Sequence, residues 1–110
     1  MEVRLAHQRV LVTGANSGIG AAIVRELAAA GARVAVNYLL HPEQTSALVD
    51  ELRGTGAEAF GVLADVADAA QVMAMYAELD RRWGGIDVLV NNAGGSPRGE
   101  DPDQRWQDAF

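Results

Sequence analysis

The sequence has no cysteine and no lysine among its 110 residues, and it has no long apolar run. Without cysteine the chain can form neither disulfide bonds nor thiolate metal sites, which is compatible with a reducing cytosol. No apolar segment approaches the roughly 20 residues that a membrane-spanning helix needs, and the first residues lack the apolar core of a signal peptide. These absences predict a cytoplasmic protein.

Positive charge is also scarce in this chain. The nine basic residues are all arginines and form no basic run, and fifteen acidic residues outnumber them, so the formal net charge is −6. Such a balance argues against nucleic acid or a membrane surface as a general partner. His7 and His41 have no ligand-like spacing, so we expect no metal site. A phosphorylated ligand would have to be bound by backbone N–H groups and at most one or two arginines.

Four short runs of apolar and β-branched residues predict the strands of a parallel sheet. Each run is bounded by turn-forming or polar residues, as expected of strands buried on both faces. The runs lie at residues 9–13, 32–37, 57–64 and 86–90. Helical patterns separate them, and this alternation predicts a doubly wound α/β layout over residues 1–110 with the strand order 3-2-1-4.

Three helices are predicted between these strands, and residues 104–110 look like the beginning of a fourth. The second helix is expected to begin at Pro42, and the third at Asp68, with Gln71 three places on as in a capping box. One apolar face is predicted for the first helix, formed by Ile19, Ile23 and Leu27. Another is predicted for the third, where we expect a core stripe of Val72, Tyr76, Leu79 and Trp83.

A glycine-rich turn follows the first strand and reads Thr13-Gly14-Ala15-Asn16-Ser17-Gly18-Ile19-Gly20. In open parallel sheets, ligands bind beyond the carboxyl ends of the strands where the strand order reverses, here above the first and fourth strands. Glycine lets the backbone approach a pyrophosphate, and N–H groups at the helix start attract its charge. The turn is therefore compatible with a dinucleotide site, although purely structural turns also use three glycines. Its spacing is not G-x-G-x-x-G, and the missing lysine excludes a phosphate-binding P-loop.

The sequence resembles the short-chain dehydrogenase/reductase family at three motifs. Residues 13–20 match its T-G-x-x-x-G-I-G signature at every fixed position, Asp65-Val66 matches its D-V pair, and Asn91-Asn92-Ala93-Gly94 matches its N-N-A-G. The resemblance implies a Rossmann-like fold that binds NAD(P). It also implies an oxidoreductase that transfers hydride between this cofactor and an alcohol or ketone. Within the family, the sequence most resembles the acyl-carrier-protein-reductase and glucose-dehydrogenase branches.

The resemblance further implies which residues bind the cofactor. The first turn would bind the pyrophosphate and adjoining ribose, the D-V pair the adenine edge, and the N-N-A-G segment the path to the nicotinamide. The implied residues are Gly14, Asn16, Ser17, Gly18, Ile19, Gly20, Asn37, Tyr38, Asp65, Val66, Asn91, Ala93 and Gly94. For Thr13 and Asn92 a structural role, tying the first and fourth strands together, is an equal alternative.

The choice between NAD and NADP is expected to depend on the end of the second strand. A carboxylate there accepts hydrogen bonds from the ribose 2′-hydroxyl and repels a 2′-phosphate. This chain has Asn37 instead, and an amide can bond the hydroxyl without excluding the phosphate. Neither Ser17 nor Tyr38 supplies a cation that would select the phosphate. We expect NAD(P), with a slight preference for NADP.

Catalysis in the family uses a tyrosine and a lysine four residues later, and this chain contains no lysine. We therefore predict no catalytic residue in it. The resemblance covers only the N-terminal portion of a family domain. We expect the chain to be a cofactor-binding fragment, truncated after the fourth strand, inactive alone and prone to aggregate at the bare strand edge. Its parent enzyme is expected to be a homo-oligomer.

Three other interpretations stay open at the level of the sequence. The chain could be a stand-alone NAD(P)-binding module or one half of a split protein that needs a complementary chain. It could also be the nonfunctional product of a frameshift or a premature stop. A Rossmann-type methyltransferase shares the glycine-rich turn, but it expects an acidic residue at Asn37 and does not explain the N-N-A-G segment.

Overall fold

A computed structural model describes residues 6–16 and 18–93 of the chain. The strands are β1 Arg9–Val12, β2 Arg33–Tyr38, β3 Ala59–Leu63 and β4 Val88–Val90, and the helices are α1 Gly18–Ala29, α2 Pro42–Gly54 and α3 Ala69–Trp83. Each pair of neighbouring strands is parallel, and the order across the sheet is β3-β2-β1-β4. The predicted Rossmann-like layout is confirmed. The helix predicted at 104–110 lies outside the described residues.

Both faces of the sheet are covered by helices. Alternate strand residues, such as Val10 and Val12, belong to a buried cluster with residues of α1 and α2. Leu11 lies between them in sequence and belongs to a second cluster with Met75 and Leu79 of α3. Since successive side chains of a strand point to opposite faces, α3 covers the face opposite to α1 and α2. This arrangement explains why the strands have continuous apolar runs.

Two helix faces agree only in part with those that the sequence predicts. In α1 the buried residues are Gly20, Ala21 and Val24, while Ile19 is 74% exposed. Ile23 and Leu27 are half-buried and pack against the core cluster as predicted. The small residues bring the first turn of α1 close to the glycine-rich turn, so only Ile19 of the predicted face points away from the core. In α3 the most buried residues are Met75 and Leu79, and the rest of the predicted stripe is half-buried.

Several strand ends also differ from the predicted ones, by one or two residues. β2 extends to Tyr38, which pairs with Leu63 of β3. β4 contains only three residues because the chain before it forms the turn that ends α3, in which Gly84 and Gly85 have positive φ. Within the described residues, no helix combines the length and the apolarity needed to cross a membrane.

An arginine–aspartate pair joins the start of β1 to the residue before β4. The Arg9 guanidinium donates from Nε to Oδ2 and from Nη2 to Oδ1 of Asp87, at 3.0 Å in both cases. The backbone N–H of Arg9 also donates to Oδ2, at 2.8 Å. Bidentate, charge-assisted contacts of this kind fix geometry as well as adding energy. The hydrogen bond from the Arg9 side chain is the main reason why the pKa of Asp87 falls to about 2.

We predict that Asp87→Asn weakens the acid sensitivity of the fold. The pKa of Asp87 is lower in the folded chain than in the unfolded one, so the unfolded chain binds more protons between about pH 4 and pH 2 and stability falls as the pH falls through this range. The free energy of unfolding, measured by urea titration at a series of pH values, should fall less steeply in the variant. An identical acid dependence in both proteins would contradict the pairing.

Two methionines of α3 offer a matched test of the core. Met75 is 3% exposed and Met73 is 72% exposed. Met75→Ala should lower the free energy of unfolding by about 2–5 kcal/mol, because it removes buried apolar atoms and leaves a cavity. Met73→Ala should change it by less than about 0.5 kcal/mol. Urea unfolding followed by circular dichroism measures both, and equal costs would show that α3 does not pack as described.

Candidate functional site

The candidate site lies where the carboxyl ends of β1, β2 and β4 meet. β1 is the central strand of these three, with β2 on one side and β4 on the other. The glycine-rich turn leaves β1 here and leads into α1. The chain that follows β4 therefore lies beside this turn, although it is almost eighty residues away in sequence.

Both polar backbone groups of Gly14 are bonded to asparagine side chains. The Gly14 N–H donates to Oδ1 of Asn37 on β2, at 3.0 Å. The Gly14 carbonyl accepts from Nδ2 of Asn92, which follows β4, at 3.1 Å. Gly14 has φ +58, a conformation that L side chains rarely adopt, and a Cβ added to it would lie 3.0 Å from Ala93. Only glycine fits this position without strain.

The side chain of Asn37 is buried inside the protein. The residue is 2% exposed, and its Nδ2 donates to the carbonyl oxygens of Val62 and Ala64, at 3.3 and 3.1 Å. Its backbone carbonyl accepts the N–H of Ala15 at 2.9 Å. Both amide protons are in use, and almost none of the surface is free. The expectation that this amide bonds a ribose hydroxyl does not agree with this geometry, and Asn37 belongs to the scaffold of the turn.

Thr13 ties the end of β1 to the segment after β4. Its Oγ1 accepts the backbone N–H groups of Asn92 and Ala93, both at 3.0 Å. The same hydroxyl donates to Oδ1 of Asn91 at 3.2 Å, and the Thr13 N–H donates to the carbonyl of Val90 at 3.0 Å. The structural role considered for Thr13 and Asn92 is therefore confirmed. This hydroxyl positions all three residues at the start of the N-N-A-G segment that the structure describes.

The first turn of α1 packs directly on the glycine turn at Gly20. A Cβ on Gly20 would lie 2.6 Å from Nδ2 of Asn92 and 2.8 Å from the Gly14 carbonyl oxygen. At Gly18, by contrast, an added Cβ would meet nothing within 4 Å. The backbone at the start of α1 is therefore closely supported on its inner side and open on its outer side. Ile19 beside it is 74% exposed.

Asn16 joins the glycine turn to the loop between β2 and α2. Its Nδ2 donates to the Leu40 carbonyl at 2.6 Å and to the His41 carbonyl at 3.3 Å. Tyr38, the last residue of β2, is half-buried, and its ring lies near Gly61 of β3. These contacts fix the course of the chain beyond β2.

Asp65 and Val66 follow β3 and are held by the start of α3. The N–H of Asp65 donates to Oε1 of Gln71 at 2.8 Å, and its Oδ1 accepts the N–H of Ala67 at 2.9 Å. Asp68 caps α3 as predicted, by accepting the N–H groups of Ala70 and Gln71. The Gln71 side chain does not bond the cap's own N–H, as in a full capping box, but reaches further back to Asp65. The Gln71 side chain also donates from Nε2 to Oδ2 of Asp68, at 3.1 Å. This side-chain hydrogen bond is the main reason why the pKa of Asp68 is lowered.

The structure brings most of the predicted site residues to one edge of the sheet. Hydrogen bonds or close approach link Gly14 and Gly20 with the segment after β4, and Asn37 links the turn to the end of β3. Ser17 and Gly94 lie outside the described residues. The inward role of Asn37 was missed, although a signal exists: a polar residue inside a buried strand needs buried hydrogen-bond partners.

Comparison with protein families gives one clear match. The family model described as short chain dehydrogenase matches residues 8–110. Among curated proteins, 3-oxoacyl-(acyl-carrier-protein) reductase FabG of Staphylococcus aureus is 49% identical over 84 residues, which cover 76% of this chain and 34% of the relative. The chain thus spans about a third of the length of this relative.

Two solved structures are also similar to this chain. A short chain dehydrogenase from Burkholderia cenocepacia, solved in complex with NADP, is 40% identical, with a TM-score of 0.80 over 97% of this chain and 44% of that one. A blue fluorescent protein from a metagenomic library, solved in complex with NADPH, is also 40% identical, with a TM-score of 0.82 over 97% of this chain and 45% of that one.

The Thr13 hydroxyl can be tested with two substitutions. Thr13→Val keeps the shape of the side chain but leaves the N–H groups of Asn92 and Ala93 without their acceptor, so the free energy of unfolding should fall by about 1–3 kcal/mol. Thr13→Ser keeps the hydroxyl and loses only a methyl group, which should cost about 1 kcal/mol or less. Urea unfolding compares them, and a valine variant as stable as the serine variant would contradict this role.

Proposed function

We propose a function from the premise that this chain belongs to the short-chain dehydrogenase family. The chain binds the dinucleotide NAD(P)(H) at the edge of the sheet where the glycine turn, the end of β3 and the segment after β4 lie together. It supplies the cofactor-binding part of an oxidoreductase site. The activity of the whole enzyme, the transfer of hydride between NAD(P)(H) and an alcohol or ketone, is part of the same proposal.

The glycine turn is the observation that carries this proposal. Gly14 and Gly20 leave no room for a side chain on the inner side of the turn, while Gly18 at the start of α1 is open. A ligand can therefore approach backbone N–H groups at the beginning of a 12-residue helix. Helix starts of this kind attract phosphate groups through free N–H donors and the helix dipole. The chain can bind a pyrophosphate in this way without a lysine.

The proposed contacts divide among three segments. The turn from Gly14 to Gly20, which includes Asn16, Ser17, Gly18 and Ile19, borders the pyrophosphate and adjoining ribose, and the N–H groups at the start of α1 bind the phosphate charge. Asp65 and Val66 border the adenine, and Asn91, Ala93 and Gly94 line the path towards the nicotinamide. Tyr38 borders the ribose, whereas Asn37 supports the turn from inside the protein and does not contact the cofactor.

For the cofactor we propose NAD(P) with a slight preference for NADP. Two similar solved proteins are named as complexes with NADP or NADPH, and the end of β2 carries no carboxylate that would repel a 2′-phosphate. When bound, the nicotinamide supplies or accepts the hydride. The residues of this chain bind and orient the cofactor, and we assign no catalytic group to them.

We also predict that the chain is inactive in isolation and that its parent enzyme is a homo-oligomer. We predict a cytoplasmic location and no nucleic acid or membrane partner. The match to the dehydrogenase family disfavours the methyltransferase interpretation. The reading as a stand-alone module is not favoured either, because the relatives that the chain matches are reductases and dehydrogenases.

Nucleotide titration tests the proposed binding directly. We expect saturable binding of NADPH and NADH by the chain, measured from the fluorescence of the reduced nicotinamide. Gly14→Ala should lower the affinity for both nucleotides by about tenfold or more, because the added Cβ strains the turn and presses on Ala93.

Gly54→Ala is the matched control for this titration. Gly54 ends α2, and a Cβ there would meet nothing within 4 Å. Its nucleotide affinities should equal those of the unchanged chain. A folded chain that binds neither nucleotide, or that binds both equally well after Gly14→Ala, would contradict the proposed site.

A further inference from the structure

We infer that Asn37 is a positioning residue that holds the glycine turn and the end of β3 in one fixed arrangement for the cofactor. This inference rests on the proposed function and deepens it. It concerns how the pyrophosphate-binding turn and the adenine-binding strand end keep their relative position. Asn37 itself does not contact the cofactor.

One side chain connects the two segments. Oδ1 of Asn37 accepts the N–H of Gly14 in the turn, at 3.0 Å. Nδ2 donates to Val62 and to Ala64, at 3.3 and 3.1 Å. Ala64 directly precedes Asp65, the first residue of the proposed adenine edge. A displacement of either segment must therefore break a hydrogen bond of the same buried amide.

The partners of this amide also determine which residue type can occupy the position. An acceptor must face the Gly14 N–H, and donors must face two carbonyl oxygens. Of the side chains of this size, only asparagine offers an acceptor and two protons on neighbouring atoms. Aspartate has the same shape, but its second oxygen would face the carbonyl oxygens of Val62 and Ala64 in a site that is 2% exposed.

A positioning residue and a ribose-contacting residue predict different effects of Asn37→Asp on nucleotide affinity. If Asn37 faced the ribose, the new carboxylate would repel the 2′-phosphate and would lower the affinity for NADPH far more than the affinity for NADH. If Asn37 supports the turn and the strand end, the same change disturbs features that both nucleotides share. Both affinities then fall together.

The test is a titration of the Asn37→Asp variant with NADPH and with NADH. Urea unfolding curves of the variant first establish the conditions under which it is folded, and both titrations are made there. We expect both affinities to fall by about tenfold or more, with their ratio unchanged within about twofold. Loss of NADPH binding alone, or no loss for either nucleotide, would overturn the inference.

Val49→Ala is the matched control for a merely destabilising change. Val49 is 6% exposed, lies on α2 and belongs to the core cluster that includes Val34 and Val36. Its loss should lower the urea midpoint but leave both nucleotide affinities unchanged in the folded protein. An equal loss of affinity in this variant would show that the effect of Asn37→Asp reflects stability alone.

A measurement on the unchanged chain decides the case if Asn37→Asp does not fold. The side-chain NH₂ protons of Asn37 should exchange with solvent at least about tenfold more slowly than those of the exposed Asn91, because the two Asn37 protons are hydrogen-bonded and buried. Fast exchange of the Asn37 protons would overturn the inference. Failure of the chain to bind either nucleotide would contradict the proposed function, while the exchange rates would still decide whether Asn37 clamps the two segments.

Discussion

The double hydrogen bond at Gly14 is the interaction on which the candidate site depends. Its N–H and its carbonyl are bonded to the amide side chains of Asn37 in β2 and of Asn92 just after β4, and these two strands lie on either side of β1. A turn with positive φ and no side chain has little intrinsic preference for one shape. Here the shape is imposed from outside, by groups that the sheet itself positions. A backbone fixed in this way can present N–H groups to an anion without first having to be ordered.

The parallel sheet makes hydrogen bonds of this kind possible and also requires them. Because parallel strands end at the same edge, residues far apart in sequence meet there, as Thr13 does with Asn92 and Ala93. Buried polar groups cost free energy unless they find partners. The hydroxyl of Thr13 and the amide of Asn37 satisfy backbone groups that would otherwise be left unpaired at the strand ends. The same hydrogen bonds that stabilise the edge of the sheet therefore define the walls of the site.

Much of this structure could be predicted from the sequence, and the exceptions have physical reasons. The strand order followed from the alternation of elements, and Asp68 was identified as a helix cap from its position three residues before Gln71. The packed face of α1 was predicted only in part: Ile23 and Leu27 pack against the core, but Gly20 and Ala21 make contact through their small size, which a search for large apolar residues overlooks. Asn37 was assigned to the ligand because its place at the end of β2 was known, whereas the direction of its side chain depends on partners in β3 and in the turn. Local pattern reveals elements and motifs, but the roles of polar residues at strand ends depend on neighbours from other strands.

A crystal structure of the chain with NADPH would test this description most directly. We predict that the pyrophosphate lies on the open side of the turn at Gly18, that the adenine lies beside Asp65 and Val66, and that the Asn37 amide still bonds the Gly14 N–H and the Ala64 carbonyl. A nucleotide bound elsewhere, or an Asn37 side chain turned outward to the ribose, would contradict it.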